Sequence, residues 1–587
     1  MTINTLNSIH LLHLPLPNRL KQLSILLFVL ALTFIAQTQD NYPKNYFDPP
    51  LHRPMQLASS FAEIRANHFH SGLDLCIDKI GEPVYAPADG YVSRVNILSW
   101  GGGRMLYITH PNGYKTVYMH LDGFAGEIAQ WVNDYQYSHH VYSFDTCPSD
   151  TIYVKKGQLI AFAGNSGGGG GPHLHYDIRL VANEQPINPL YFGLPYEDTI
   201  APIIRGIKVY PAQEGGTING VRHAVCLPAA NKKKDDTITI SGRFYVGIYA
   251  TDISNGSPGK NGVESIQLFV DDSLYYHYGV KSFFLDETRA VNAIIDYPTF
   301  ISTGQYYIIT RQLRGLHKPY SQARDGSGYL LFQEGTRHKL EYVVSDYKGN
   351  RTTRTFFVRA LMAPQTVTRD DETTDTNLEG QPVCYFKRNV LSRPNFTAQL
   401  GEGTLYDNDI LLYSTSQHNN LLSGMHTIKL KRSDLPPNKN FDISMPLPQL
   451  KDSTQIKHLV IVSVKGNRFS ALPTQRQGNL LTASTRYFGS FGITLDTIRP
   501  GLQAVNFKPG SRFKGNQLVV KIWDNLSGVA SYHCYINDTW VLSQHDSKTA
   551  CLYITPGDTM KTGKNVVRFV ITDAAGNTRE TSYTLTK

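Results

Sequence analysis

The sequence predicts a mainly β protein, an antiparallel β-sheet domain followed by two or three β-sandwich modules. Three observations predict it. Aromatic and turn-forming residues are abundant together, with 35 Tyr, 26 Phe, 48 Gly and 31 Pro in 587 residues, a combination that suits pleated strands joined by tight turns. Short alternating runs bounded by Gly, Asn and Asp recur along most of the chain. A pair of Asp-containing motifs near residues 198 and 346 returns near residues 496 and 573. The length accommodates about four domains of roughly 150 residues. With 41% hydrophobic and 18% charged residues, wholesale disorder is excluded. A net charge of +9 is a mild bias over this length. It fits contact with an anionic polymer, and without a dense basic run it argues against nucleic-acid binding.

Taken in order, residues 1–38 read as an export signal. Arg19 and Lys21 precede an apolar run over residues 23–36, and Gln37 to Asp40 return the chain to polar sequence. A membrane-spanning helix needs roughly 20 apolar residues, so a secretory signal is favoured over an uncleaved anchor. No cysteine follows the run, which argues against a lipid anchor, and no later segment is apolar enough to span a bilayer. The implied location is exported: periplasm, cell envelope or beyond. Export permits disulfides, but six cysteines are too few to build the fold; Cys534 and Cys551 are placed to lie on neighbouring strands, as a bridge or as two buried thiols.

Residues 40–60, with Pro43, Pro49, Pro50 and Pro54, read as extended. A first domain over 40–195 consists of short strands such as Gly90-Tyr91-Val92 and Met105-Leu106-Tyr107-Ile108. Within it, 123–138 places Phe124, Ile128 and Trp131 at helical spacing, predicting a short amphipathic helix. Beyond it Asp198-Thr199-Ile200-Ala201-Pro202 recurs as Asp496-Thr497-Ile498-Arg499-Pro500, and Ser345-Asp346-Tyr347-Lys348-Gly349-Asn350 as Thr572-Asp573-Ala574-Ala575-Gly576-Asn577. Each copy holds a further Asp turn between its paired motifs, Asp252 and Asp524. The expected modules are immunoglobulin-like sandwiches at 197–361, longer and therefore with insertions, and at 495–587. A β-rich middle domain at 362–494 opens on a polar, acidic linker from Thr366 to Glu379 and contains the run His458-Leu459-Val460-Ile461-Val462.

The residues that carry chemistry cluster near the front: His70-Ser71-Gly72-Leu73-Asp74, the run from Gly81 to Gly90, Tyr118-Met119-His120-Leu121, and Gly171-Pro172-His173-Leu174-His175. Residues i and i+2 of a strand share a face, so His173 and His175 present two imidazoles side by side. A catalytic zinc typically takes three protein ligands and leaves a position for water; His70, Asp74 and one of the strand histidines make such a set. Such a metal acidifies water that attacks a polarised carbonyl, and further histidines can move the proton and stabilise the oxyanion. No HExxH helix occurs.

In this order and with these flanking glycines and prolines, the four elements resemble the lysostaphin/LytM-type zinc endopeptidases, which cut peptides of bacterial peptidoglycan. The resemblance covers residues 56–182 and includes Gly113-Tyr114, Val154-Lys155-Lys156-Gly157-Gln158 and the Gly164-Asn165-Ser166-Gly167 loop. It implies an antiparallel β-sheet fold with a groove, Zn2+ as cofactor held by His70, Asp74 and His175, and catalytic roles without metal ligation for His120 and His173. It also implies peptidoglycan cross-link peptides as substrate, with the β-sandwich tail positioning the enzyme or binding an envelope partner. The chain departs from the family pattern at 121–153, where a longer segment follows His120; a loop of that size beside a site often forms a wall or lid.

Two other readings stand beside this one: a non-catalytic peptidoglycan-binding or hydrolase-regulating scaffold, motivated by the long tail, and a zinc protease with a protein substrate. The five intact site positions favour a hydrolase. His68, His139, His140 and the Lys232-Lys233-Lys234 run read as surface residues, Cys76 as a core thiol, and Gly167 to Gly171 as a flexible groove edge rather than a phosphate cradle, since no Lys-Ser or Lys-Thr follows.

Overall fold

A computed structural model describes residues 42–212, 216–227, 237–316, 320–362 and 379–587. The signal, the Lys232–Lys234 run and all but the end of the acidic linker lie outside the described residues. No described helix is long and apolar enough to cross a membrane.

The chain is mainly β. At its front a sheet runs in the spatial order Leu57–Ser59, Leu73–Cys76, His173–Leu180, Tyr114–Met119, Arg104–Thr109, Gly90–Ile97, Phe144–Thr146, all antiparallel. The strand His173–Leu180 shows why the sheet forms where it does. Leu174, Tyr176 and Ile178 alternate with His173, His175, Asp177 and Arg179; the first set is fully buried on the core face, and the second lies on the opposite face of the pleat. Register places His175 opposite Asp74 on one neighbour and Met119 on the other. A three-stranded sheet of Glu82–Tyr85, Leu159–Ala163 and Gly123–Phe124 packs nearby.

The predicted helix spans Gly126–His139 and buries Ile128, Val132 and Gln136, one residue per turn on one face. Phe124 belongs instead to the short strand before it, and Trp131 packs edge-on against Phe144. The segment after His120 thus forms a short strand, this helix and a further strand. Its strand Phe144–Thr146 extends the sheet at the edge remote from Leu73–Cys76.

Several β-sheet units follow. One pairs a four-stranded with a seven-stranded sheet and carries a parallel strand pair, Thr237–Ser241 with Phe357–Leu361. Its extra length includes helical turns from Leu285 to Thr303. Its core is continuous with that of the front domain, from Phe47 to Val358; Phe283 stands 5.5 and 5.4 Å from Phe61 and Phe69. The next unit stacks six- and five-stranded sheets around its own core, Val383 to Ile493, and the last stacks two four-stranded sheets. Cys534 and Cys551 sit in the two different sheets of that last unit. Both are buried and free, so the bridge is not formed and the two thiols serve as small core groups.

Candidate metal centre

The turn before Leu73–Cys76 brings His70 beneath Asp74, and the neighbouring strand brings His175 beside both. His70 Nε2, Asp74 Oδ1 and His175 Nδ1 lie 2.9 Å from one another in all three pairings, and the three residues are buried. Three lone-pair donors at such separations repel unless a positive charge sits between them. A tetrahedral zinc with ligands at about 2.0–2.2 Å holds its donors roughly 3.3–3.6 Å apart, a small widening of the separations found here.

The remaining nitrogen of each imidazole decides which one faces the centre. A carbonyl or carboxylate oxygen can only accept, so the ring nitrogen beside it must carry the proton. His70 Nδ1–H donates to the Ser60 carbonyl at 2.7 Å, which leaves Nε2 as a lone pair. His175 Nε2–H donates to Asp177 Oδ1 at 2.6 Å, which leaves Nδ1. This is the carboxylate–histidine pairing that orients metal ligands. Asp74 turns its other oxygen to Arg65 Nη2 at 2.9 Å.

Charge at the centre agrees with this arrangement. Burial alone would raise the Asp74 carboxyl, but His70 and His175 hold it well below the usual carboxylate range. Burial works against charge on His175, yet the Asp177 and Asp74 carboxylates lift it to about 9. The field therefore favours positive charge where the donors converge. Burial would also raise Asp177, but Arg179 and His175 keep it ionised, at about 2. The donor set, two nitrogens and one carboxylate oxygen with fixed tautomers, fits zinc.

His120 and His173 form a second pair beside the centre, ring centroids 4.7 Å apart. His120 Nδ1–H donates to Ser166 O and His173 Nδ1–H to Gly171 O, each at 2.8 Å. His120 thus keeps Nε2 as a free base, and His173 Nε2 stands 3.5 Å from Asp74 Oδ1. Burial, with smaller effects from the neighbouring groups, lowers His120 to about 4, so it is neutral near pH 7. His120 adopts a left-handed backbone, φ 62°, held by its N–H on Gly102 O at 2.8 Å and by Ser166 N–H on its own carbonyl; such strain clusters at functional sites. The glycine run passes directly over this pair. A Cβ on Gly169 would lie 3.0 Å from His173 Cε1 and 3.5 Å from His120 Nδ1.

All five sequence-predicted residues thus meet in one place. His68 is exposed and bonds to Ala66 O. His139 and His140 end the helix on the surface, and His140 stacks on Trp540. Cys76 is half-buried rather than a core thiol, paired in register with His173, and stands apart from the donor cluster. Sequence reasoning missed Arg65, Ser166, Asp177 and Arg179. The last two were within reach, because the alternation that joins His173 to His175 continues through Asp177 and Arg179.

Residues 68–137 match Peptidase family M23 and residues 381–496 a Zu5-like domain. An uncharacterized metalloprotease of Haemophilus influenzae is 33% identical over 168 residues, covering 28% of this chain and 30% of that protein. The peptidoglycan DD-endopeptidase ShyB of Vibrio cholerae is 33% identical over 132 residues, 22% and 25% of the two chains. A zinc-containing peptidase from Vibrio cholerae of known structure is 28% identical over 25% of this chain and 39% of that one, with TM-score 0.19. The alignments span under a third of these two curated relatives. The chain carries a lysostaphin/LytM-type M23 peptidase domain at its front and a Zu5-like β-sandwich domain toward its C-terminus.

Proposed function

We propose that the protein is an exported zinc metalloendopeptidase that hydrolyses peptide cross-links of peptidoglycan in the cell envelope. The observation that carries this reading is the convergence of His70 Nε2, Asp74 Oδ1 and His175 Nδ1 beside His120 and His173, both anchored through Nδ1. In this reading the peptidase domain occupies 40–195, with further domains at 197–361, 362–494 and 495–587 that position it or bind an envelope partner. Similarity to a peptidoglycan DD-endopeptidase makes a D-amino-acid cross-link the first bond to test.

His70, Asp74 and His175 would hold zinc. Bound there, zinc supplies a Lewis acid that polarises the scissile carbonyl and makes water acidic near neutral pH. Asp177 and Ser60 O keep the two ligand imidazoles in their binding tautomers. His120, neutral and anchored through Nδ1, takes the proton of the attacking water at Nε2. His120 then gives that proton to the leaving amine as the C–N bond breaks, while His173, when it carries a proton at Nε2, donates a hydrogen bond to the oxyanion of the tetrahedral carbon and keeps that proton. The glycine run from Gly167 to Gly171 leaves the backbone open for an extended peptide to lie along the groove.

The test is digestion of purified peptidoglycan by protein from Gln39 onward, with and without 1,10-phenanthroline, with soluble products identified by mass spectrometry. Split cross-links that vanish with the chelator are expected. Full activity in His175→Ala sinks the mechanism, and no release by folded, zinc-containing protein sinks the peptidoglycan substrate.

A further inference from the structure

The repeated Asp motifs of the two outer sandwich units converge on a single point in each. Asp198, Asp252 and Asp346 offer carboxylate oxygens within 4.8 Å of one another, and so do Asp496, Asp524 and Asp573. The two clusters are built alike. In each, the first Asp lies five residues before a strand, Ile203–Pro211 or Gly501–Ala504. The third Asp opens a turn closed by Asn, whose Nδ2 donates both to the backbone of the first Asp and to the carboxylate of the third. For Asn350 these distances are 3.1 and 2.8 Å, and for Asn577 they are 2.8 and 2.9 Å.

Three carboxylates gathered in this way, all buried in the first cluster and two of them buried in the second, are costly without a cation. None of the six carboxylates forms an ion pair among the described residues. A second observation points to a ligand: Asp252 Oδ1 and Asp496 Oδ1 have no hydrogen-bond partner, although their residues are only 4% and 1% exposed. Asn261, paired backbone to backbone with Asp252, also leaves Oδ1 buried and unpartnered. Burial, reinforced by Asp198 and Asp346, pushes the Asp252 carboxyl up to about 7.

Both clusters sit where a unit meets the domain before it. Tyr347, inside the Asp346–Asn350 turn, donates to Leu190 O of the peptidase domain at 2.6 Å, and Tyr196 donates to Asp198 Oδ2. In the last unit, Ala575 O accepts from His458 Nδ1–H at 2.9 Å, and Asp496 N–H donates to His458 O. We propose that each Asp cluster binds one divalent cation, and that the pair of ions locks each sandwich unit to the domain preceding it. All-oxygen ligands of high charge in an irregular loop setting select Ca2+, which accepts six to eight oxygens, over Mg2+, which demands an octahedron and keeps its waters.

The test uses the full chain from Gln39 with its zinc retained, stripped of free ions on a chelating resin and titrated with CaCl2 in a calorimeter. Two ions bound per chain are expected, with a melting temperature that climbs with calcium concentration. Asp252→Asn and Asp524→Asn each lose one of the two, with binding at the altered site weakened at least ~100-fold. Because each variant relieves like-charge repulsion, its calcium-free form melts at or above the calcium-free wild type, which separates ligand loss from misfolding. Absence of binding at about 10 mM, well beyond the ~1 mM of weak extracellular modules, overturns the proposal, as does a double variant that still binds two ions. An equal response to Mg2+ overturns the choice of calcium. Peptidoglycan hydrolysis is not the readout, so failure here leaves the zinc mechanism untouched.

Discussion

Asp177→Asn isolates what the sheet does for the metal centre. Asp177 is fully buried; one oxygen takes the His175 Nε2–H and the other accepts two Arg179 N–H groups, the Nε contact at 2.7 Å. Asparagine keeps the shape but removes the charge and turns one N–H donor toward Arg179 or His175. Two losses follow. Arg179, 5% exposed, loses its nearer counter-charge and keeps only Glu184 at 3.7 Å; breaking a buried pair costs about 3–5 kcal/mol, and Glu184 reduces that loss. His175 loses the charged acceptor that fixes its tautomer, and loss of such a partner typically weakens metal binding about 10–100-fold, or about 1.4–2.7 kcal/mol. Zinc affinity is read by competition with a chromophoric chelator, stability by urea unfolding, and hydrolysis by release of split cross-links. The companion variant Asp177→Asn/Arg179→Met removes the stranded cation, so it recovers stability but not zinc affinity. If Asp177→Asn unfolds more easily yet binds zinc as tightly as wild type, Asp177 is only the counter-ion of Arg179 and the orientation argument is wrong.

The other predictions draw on different contacts. Gly72→Ala places a Cβ 2.2 Å from Asp177 Oδ1 and 2.4 Å from Tyr176 O, so two paired strands must part; lower stability and weaker zinc binding are expected, whereas Gly170→Ala, with open space around it, serves as the neutral control in the same thermal melt. A fragment ending at residue 195 exposes Phe61 and Phe69, which pack on Phe283, and should bind a hydrophobic dye and lack sharp two-state melting; a cooperative melt at the full-length temperature rejects the shared core. Lys548→Ala removes two 2.7 Å contacts to Asn165, so hydrogen exchange should speed up over 165–171 with little change in global stability. In calcium-free buffer the raised Asp252 carboxyl binds a proton in the folded state that the unfolded state lacks between its ordinary value of 3.8 and about 7. That contribution to stability is therefore lost as pH rises through about 7, and a difference between wild type and Asp252→Asn that does not change with pH there contradicts it.

How much of this was readable in advance follows from which forces act locally. The period of two placed His173 and His175 on one face, and spacing with glycine flanks identified His70, Asp74 and His120, because strand geometry and turn chemistry are written in neighbouring residues. The groups supporting those side chains were not readable in the same way. Arg65 reaches Asp74 across a hairpin, and Ser166 meets His120 only because Gly101, Gly103 and Gly167 let two loops interlock; a Cβ at Gly167 would lie 2.4 Å from Gly101 O. The length of 121–153 suggests a wall or lid, and sequence does not show the sheet edge to which Phe144–Thr146 hydrogen-bonds. Cys534 and Cys551 are separated by a sheet assignment that alternation alone does not supply.

That edge explains how the tail reaches the site without touching His70, Asp74 or His175. The helix Gly126–His139 presents Tyr137, and His140 just beyond it, to Trp540 of the last unit, with centroids 5.4 and 5.0 Å away. From the same unit Gln544 accepts from Arg104, Ser547 bonds to Ser99 O and Lys548 holds Asn165. Arg104 and Asn165 flank Ser166, which accepts the Arg104 N–H and whose carbonyl orients His120. The last unit thus returns to the first domain and braces the loops behind His120, while the shared core behind Phe69 braces the turn that carries His70. A residue in a strained left-handed conformation, as His120 is, persists only when its surroundings over-determine it. Here part of that determination comes from residues more than 370 positions away in sequence.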